Sequence, residues 1–174
     1  MSMENFNSVD DIDWKTWQPD ERGVVVYIVD KSKNNILLIH KKTGLGAGKI
    51  NAPGGRIEKG ETPMNAVIRE CEEEVFLTPL YPQKRAELYF QFKSGYKLYG
   101  EIFFAYEWIG KMAETEEAKP FWCSLDEIPW DRMWEDDRHW LPHAIEGKKM
   151  RGFYIFDDDD MLSDRTIEVE NFDE

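Results

Sequence analysis

Short hydrophobic runs separated by polar turns dominate the first part of the chain. Gly23 to Val29 reads GVVVYIV and Ile36 to His40 reads ILLIH, with the turn-forming residues DKSKNN between them. Runs of this length, rich in β-branched residues, are typical of strands, and the short polar connection favours an antiparallel hairpin. The pattern therefore predicts a buried antiparallel pair early in the chain.

A helical period replaces this pattern after Thr62. Val67, Cys71 and Val75 recur at every fourth residue, which places them on one face of a helix, and most of the nearby glutamates lie off that face. Thr62 can cap the helix, and Pro63 suits its first position. We therefore predict a helix over 63–75 with one apolar stripe against the core.

The second half of the chain carries several shorter patterns. Strands are predicted from Ala86 to Phe92, from Leu98 to Trp108, in FWCSLDEIP and in RGFYIF, and a second helix is predicted around Leu141 to Lys149. The acidic run from Asp157 to Asp160 is expected to be a hydrated loop. Antiparallel hairpins combined with two well-separated helices favour an α+β fold or an α/β/α sandwich with a mixed sheet.

Composition limits the possible classes of function. The 174 residues, 41% of them apolar, suffice for one domain, which we assign to residues 22–174 after a polar, acidic extension over residues 1–21. The net charge of −13 argues against a nucleic-acid polymer or an anionic membrane as partner, although cations can bridge carboxylates to small phosphate compounds. Neither a leader peptide nor a transmembrane segment is apparent. We expect a cytoplasmic monomer in which the thiols of Cys71 and Cys123 are buried.

Three glutamates of the predicted first helix form a candidate metal site. Glu70, Glu73 and Glu74 are spaced so that their carboxylates project from one helix face, where like charges repel unless solvent or a cation offsets them. Hard oxygen ligands at this density suit Mg²⁺ or Mn²⁺. The alternative is a solvated acidic helix face.

The residues around these glutamates favour the metal site, because together they resemble the signature of a known family. The core of the Nudix hydrolase signature, G-x5-E-x7-R-E-x-x-E-E, is matched by Gly55, Glu61, Arg69, Glu70, Glu73 and Glu74. The resemblance implies the Nudix fold, in which the signature forms a loop, a helix and a loop. It implies that the Gly54 carbonyl and the three glutamates hold divalent metal.

The signature also carries a structural pair and one departure. The resemblance implies that Glu61 and Arg69 brace the loop against the helix, a role that suits a bidentate contact, whereas a surface ion pair of little worth is the alternative. Phe76 stands where the family has glycine. The loop leaving the helix is therefore expected to differ in path.

Outside the signature, the chain resembles the MutT-type members of the family from about Gly23 to Val169. The stretches HKKTGLGAGKINAPGG, EEAKPFWCSLDEIP and MWEDDRHWLP carry this likeness. It implies that Glu117 is a further metal ligand or base. The residues implied to recognise the base are Asn51, Trp134, Asp136 and Asp137, and those implied to form the pocket walls are Lys41, Phe90 and Phe92.

The implied base-recognition residues also make chemical sense. Adjacent aspartates in an apolar cleft repel if both are ionised, so one of Asp136 and Asp137 should hold a proton and donate a hydrogen bond while the other accepts. Trp134 can stack on a base, and Asn51 can make paired hydrogen bonds to a purine edge. The alternatives are a solvated EDD turn and a core role for Trp134.

The resemblance implies Mg²⁺-dependent hydrolysis of oxidised purine nucleoside triphosphates, such as 8-oxo-dGTP, to the monophosphate and pyrophosphate, with Mn²⁺ as a possible substitute. The implied catalytic residues are Glu70, Glu73 and Glu117, and Glu73 and Glu117 are the candidates for the general base. A Nudix hydrolase of another nucleoside diphosphate derivative is one alternative. A silent nucleotide-binding or interaction module is another.

Overall fold

The structure is a computed structural model that describes residues 5–173. Within this range the chain forms two compact units. Unit 1 comprises residues 5–22, 85–101 and 135–173, and unit 2 comprises residues 23–84 and 102–134. No helix in the described range is both long and apolar enough to span a membrane.

The described residues contain eleven strands and two α-helices. The strands are β1 (Glu21–Asp30), β2 (Asn35–Lys41), β3 (Ile50–Asn51), β4 (Gly54–Arg56), β5 (Leu77–Leu80), β6 (Gln83–Phe92), β7 (Lys97–Ala105), β8 (Glu107–Gly110), β9 (Ala118–Ser124), β10 (Lys149–Asp157) and β11 (Asp160–Val169). The helices are α1 (Pro63–Val75) and α2 (Asp137–Ile145). Short 3-10 turns lie at Val9–Asp11 and Trp130–Arg132.

Unit 2 contains the predicted hairpin and the predicted first helix. β1 and β2 pair antiparallel, with Val29 opposite Ile36, and β2 also pairs antiparallel with β3 and β9. α1 has the predicted bounds, and the Thr62 hydroxyl accepts a hydrogen bond from the Asn65 amide at 3.1 Å. Its stripe of Val67, Cys71 and Val75 is fully buried against the β1 and β2 side chains. Burial of this stripe fixes which face of α1 points away from the core.

Unit 1 contains the mixed pairing that the sequence analysis expected. β10 runs parallel to β6, with Phe153 opposite Tyr89, and antiparallel to β11. β11 was not predicted, because most of its side chains are exposed and its sequence, DMLSDRTIEV, lacks an apolar run. The acidic run from Asp157 to Asp160 forms the tight connection of this hairpin, in which Asp157 of β10 pairs with Asp160 of β11.

Two predicted elements need correction. The second helix spans Asp137–Ile145 and not Leu141 to Lys149, and its buried residues are Asp137, Trp140, Leu141 and Ala144. Gly147, with φ +98°, follows its end, and Lys149 already belongs to β10. The strand predicted from Leu98 to Trp108 is interrupted at Tyr106, which separates β7 from β8.

The end of α1 shows the conformation that Phe76 adopts in place of the family glycine. Phe76 itself adopts the left-handed conformation, with φ 63° and ψ 24°, and its amide donates to the Glu72 carbonyl at 3.1 Å. A non-glycine residue pays about 1 kcal/mol or more for this conformation. The Phe76 side chain is 57% exposed, so it recovers little of this cost by burial.

The two cysteines are both free thiols in different surroundings. Cys71 is buried on the apolar stripe of α1, whereas Cys123 is only half-buried. The expectation of two buried thiols is therefore right for Cys71 and wrong for Cys123. Cys123 lies in β9, the neighbour of β2, opposite Ile36.

The N-terminal residues pack within unit 1. Phe6 and Val9 are buried with Ile155 of β10. Trp17 is also buried, and its indole N–H donates to the side-chain oxygen of Gln91 at 2.8 Å. Gln91 is fully buried, so Trp17 supplies the donor that this oxygen would lack away from water.

We predict that Trp17→Phe lowers the free energy of unfolding by about 1–3 kcal/mol, because it leaves a buried amide oxygen without its donor. Urea unfolding of both proteins measures this difference. Trp14→Phe is the matched control, because the Trp14 indole donates to the part-buried Val9 carbonyl and its loss should cost less. Equal stability of wild type and Trp17→Phe would contradict the prediction.

Candidate active site

Arg69 of α1 holds the loop before the helix. Its Nε donates to Glu61 Oε2 at 2.7 Å and its Nη2 donates to Glu61 Oε1 at 2.9 Å, which is a bidentate pair. Nη2 also donates to the Arg56 carbonyl at 3.0 Å. These hydrogen bonds from Arg69, helped by the Glu58 amide, lower the pKa of Glu61 to about 2. Glu61 therefore stays ionised at neutral pH.

Three carboxylates meet beside this loop. Glu70 and Glu74 lie one helical turn apart on α1, and Glu117 lies just before β9. One oxygen atom from each residue lies within 4.8 Å of the others. The sequence alone links Glu70 with Glu74 by spacing, whereas the path of the chain after β8 brings Glu117 to them.

The electrostatics of this group are unfavourable without a cation. Glu74 is only 5% exposed, and its burial raises its pKa to about 8, a shift that Lys41 and the Gly54 amide oppose. Burial also raises the pKa of Glu70, although the hydrogen bond from Arg69 opposes this shift. The carboxylate of Glu117 raises both pKa values further. A bound cation would offset these costs.

Two glycines of the signature allow the β4 backbone to approach its neighbours closely, β1 at Gly54 and α1 at Gly55. A Cβ added at Gly55 would lie 2.4 Å from the carboxyl carbon of Glu70, and one added at Gly54 would lie 2.1 Å from the Val24 carbonyl oxygen. The Gly54 amide lies 3.4 Å from Glu74 Oε2. Any side chain at these positions would displace β4 or the Glu70 carboxylate. The main chain at Gly54 therefore lies at the edge of the carboxylate group.

The donor set suits a hard divalent cation. All three converging groups are carboxylates, which are the ligands that Mg²⁺ and Mn²⁺ prefer. Glu73 lies outside this group, with an exposed side chain whose Oε2 accepts from Arg69 Nη1 at 3.3 Å. Its role as a ligand or base stays a prediction.

Asn51 and Trp134, two of the implied base-recognition residues, share a neighbour in unit 2. A Cβ added at Gly46 would lie 2.8 Å from Trp134 Nε1 and 3.2 Å from Asn51 Nδ2. The Lys49 ammonium lies 5.0 Å from the centre of the Trp134 ring. Sequence reasoning did not assign Gly46 or Lys49, although the glycine spacing in TGLGAGK was a visible signal of close backbone approach.

The remaining implied pocket residues belong to other parts of the two units. Lys41 ends β2 in unit 2. Phe90 and Phe92 lie on β6 in unit 1, where their rings pack 5.6 Å from Tyr154 and 5.8 Å from Phe156 respectively. Both aromatic contacts place these side chains on one face of the β6–β10 pair.

Asp136 and Asp137 of unit 1 are buried, with exposures of 2% and 6%, so the solvated-turn alternative for EDD is wrong. Asp136 Oδ2 accepts from the indole N–H of buried Trp140 at 2.9 Å. Its Oδ1 has no hydrogen-bond partner among residues 5–173. Burial raises the pKa of Asp136 to about 6, and the hydrogen bond from Trp140 opposes this rise. Asp136 therefore has one oxygen held by Trp140 and one buried oxygen without a hydrogen-bond partner in the described range.

We predict that ionisation of the buried Asp136 lowers the free energy of unfolding in a pH-dependent way. Because its pKa rises from 3.8 in the unfolded chain to about 6 when folded, the folded state keeps the proton longer as pH increases. Its contribution to stability should fall between about pH 4 and 6 and stay constant above. The difference in unfolding free energy between Asp136→Asn and wild type should grow over this range, as measured by urea unfolding at successive pH values. The exposed Asp126→Asn is the control, and a difference independent of pH would contradict the prediction.

A comparison with protein families identifies a match over most of the chain. The model of the NUDIX domain matches residues 19–144. A zebrafish (Danio rerio) protein named oxidized purine nucleoside triphosphate hydrolase is 37% identical over 138 residues, which cover 78% of this chain and 88% of that protein. The 8-oxo-dGTP diphosphatase of Escherichia coli is 37% identical over 70 residues, or 40% of this chain and 54% of that one.

Solved structures show the same likeness. The crystal structure of a MutT protein from Bacillus halodurans superposes with a TM-score of 0.74 at 27% identity, covering 84% of this chain and 97% of that one. A MutT NUDIX hydrolase from Burkholderia pseudomallei gives a TM-score of 0.64 at 25% identity, covering 72% of this chain and 98% of that one.

Proposed function

The chain belongs to the Nudix hydrolase family, and we propose that it hydrolyses oxidised purine nucleoside triphosphates, such as 8-oxo-dGTP, to the monophosphate and pyrophosphate. The observation that carries the hydrolase chemistry is the convergence of Glu70, Glu74 and Glu117 within 4.8 Å. The names of the zebrafish and Escherichia coli relatives support the choice of substrate.

Mg²⁺, or Mn²⁺ in its place, is the proposed cofactor. Glu70, Glu74 and Glu117 would hold the ion, and the family resemblance adds the Gly54 carbonyl and Glu73. When bound, the ion neutralises phosphate charge and lowers the pKa of a coordinated water. The buried Glu74 must lose its proton to act as a ligand, and Lys41 favours the ionised form.

The exposed carboxylates are the candidates for moving the proton of the attacking water. Glu73 and Glu117 are both exposed, so a proton accepted there can pass to solvent. Arg69 contacts Glu70 and Glu73 as well as Glu61, and it can therefore hold the helix carboxylates in fixed orientation. In-line attack at the β-phosphorus would give the monophosphate and pyrophosphate.

Base selection is assigned to the aspartates, Asn51 and Trp134. The buried Asp136 has one oxygen fixed by Trp140 and one available, so it can accept a hydrogen bond when ionised or donate one when protonated. Oxidation changes the donor and acceptor pattern of a purine, and a buried carboxyl that titrates near neutral pH can match more than one pattern. Trp134 would stack on the base.

The remaining proposals concern the setting of the enzyme. The net charge of −13 supports a small nucleotide, and not a nucleic-acid polymer, as the substrate. Two free thiols are consistent with our proposal of a reducing cytoplasm. We propose that the enzyme acts as a monomer, which sedimentation of the full chain can test.

We predict that kcat/KM for 8-oxo-dGTP or 2-hydroxy-dATP exceeds that for dGTP and dATP by tenfold or more with Mg²⁺, or about 1.4 kcal/mol of transition-state discrimination. Steady-state pyrophosphate release from the four substrates measures this ratio. Asp136→Asn should erase the preference, because it removes the change of protonation, whereas the exposed Asp126→Asn should retain it. Equal rates for all four substrates would reject the proposed substrate even if hydrolysis persists.

A further inference from the structure

Thr115 links the two segments that carry the converging carboxylates. Its hydroxyl donates to the main-chain carbonyl of Glu74 at 2.8 Å. The same hydroxyl oxygen lies 3.3 Å from the amide nitrogen of Glu117 and 3.2 Å from that of Ala118, and accepts from both. One side chain therefore joins the last turn of α1 to the backbone of Glu117.

This contact also completes the end of α1. The last carbonyls of a helix lack partners within the helix, and Glu74 lies next to the final residue of α1. The Thr115 hydroxyl serves the Glu74 carbonyl, and the Ala113 amide donates to the Val75 carbonyl at 3.1 Å. The segment before β9 thus caps the end of α1, and the same segment carries Glu117.

The loop that carries Thr115 is itself held in place. The Thr115 amide donates to the Ala118 carbonyl at 2.9 Å, which closes a tight turn around Glu117. The Lys42 ammonium donates to the Thr115 carbonyl at 2.8 Å and pairs with Glu114, and the Lys42 amide donates to the Glu117 carbonyl at 2.9 Å. The position of Glu117 is therefore set on both sides by main-chain contacts.

We propose that Thr115 is a positioning residue for the metal site, which holds Glu117 against Glu70 and Glu74 before the cation binds. The carboxylates of Glu70 and Glu117 repel each other when both are ionised, and Glu117, which is exposed, has the most freedom to move away. The Thr115 hydroxyl opposes this movement because it fixes the Glu117 amide to α1. Removing a residue that orients a metal ligand typically weakens metal affinity by about 10–100-fold. The inference rests on the proposed metal site.

The test is a titration of the nucleotide-free protein with Mn²⁺, followed by electron paramagnetic resonance. We expect Thr115→Val, which keeps the shape but lacks the hydroxyl, to weaken Mn²⁺ binding by about tenfold. Thr115→Ser should bind as wild type does. In turnover, the Mn²⁺ concentration for half-maximal rate should rise by the same factor, while kcat at saturating Mn²⁺ should largely recover.

Thr78→Val is the matched control. The Thr78 hydroxyl also bonds to a residue of α1, the Glu72 carboxylate at 2.7 Å, but Glu72 does not belong to the converging carboxylates. This variant should retain wild-type Mn²⁺ affinity. If Thr115→Val does not fold, Thr115→Cys supplies the same comparison, because its thiol is a weaker donor.

Two results would overturn the inference. Thr115→Val with wild-type Mn²⁺ affinity but lower stability would reduce Thr115 to a helix cap. Equal weakening by Thr115→Ser and Thr115→Val would remove the hydroxyl from the explanation. A wild-type protein that binds no Mn²⁺ would instead reject the metal site, so failure of that proposal is distinguishable from failure of the role of Thr115.

Discussion

The burial of Glu74 beside the carboxylates of Glu70 and Glu117 is the constraint on which the rest of the site depends. Glu74 is only 5% exposed, and the carboxylates of Glu70 and Glu117 lie beside it. Burying an ionisable group in this way lowers the stability of the metal-free protein. Three features hold the group together despite that cost. Arg69 neutralises one side, the glycines bring the β4 backbone close, and Thr115 ties Glu117 to α1.

Asp136 is a second buried acid, and it lies in unit 1. It is also a buried carboxyl with a raised pKa, but one of its oxygens accepts a hydrogen bond from the Trp140 indole. The two buried acids thus suit two tasks: Glu74 can release its proton to solvent when a cation binds, and Asp136 can donate or accept a hydrogen bond with a nucleobase according to its protonation state. Strongly perturbed acids of this kind often mark functional sites.

The sequence predicted what local spacing controls. The α1 bounds, the Thr62 cap and the β1–β2 hairpin followed from periodicity and turn residues, because each depends on near neighbours. β11 could not be predicted, since its pairing with β10 and not an apolar run makes it a strand. α2 was misplaced because a single proline and a short buried face give a weak helical period.

Local spacing also determines which residues of the candidate site could be predicted from the sequence. Glu70 and Glu74 are related by helical spacing, whereas Glu117 was assigned only through family resemblance, because no local rule connects it to α1. The role of Thr115 could not be predicted for the same reason, because its hydroxyl contacts a residue that lies forty-one positions away in the sequence. Burial of Asp136 also depends on tertiary packing, which the letters EDD do not reveal.

Thermal unfolding of wild type and Glu74→Gln, each in EDTA and in Mg²⁺, tests the central constraint most directly. If the buried Glu74 carboxyl is unfavourable until a cation binds, Glu74→Gln should be the more stable protein in EDTA at neutral pH. Mg²⁺ should then raise the Tm of wild type and have little effect on the variant. A variant that is less stable in EDTA and gains as much from Mg²⁺ as wild type would contradict this explanation of the site.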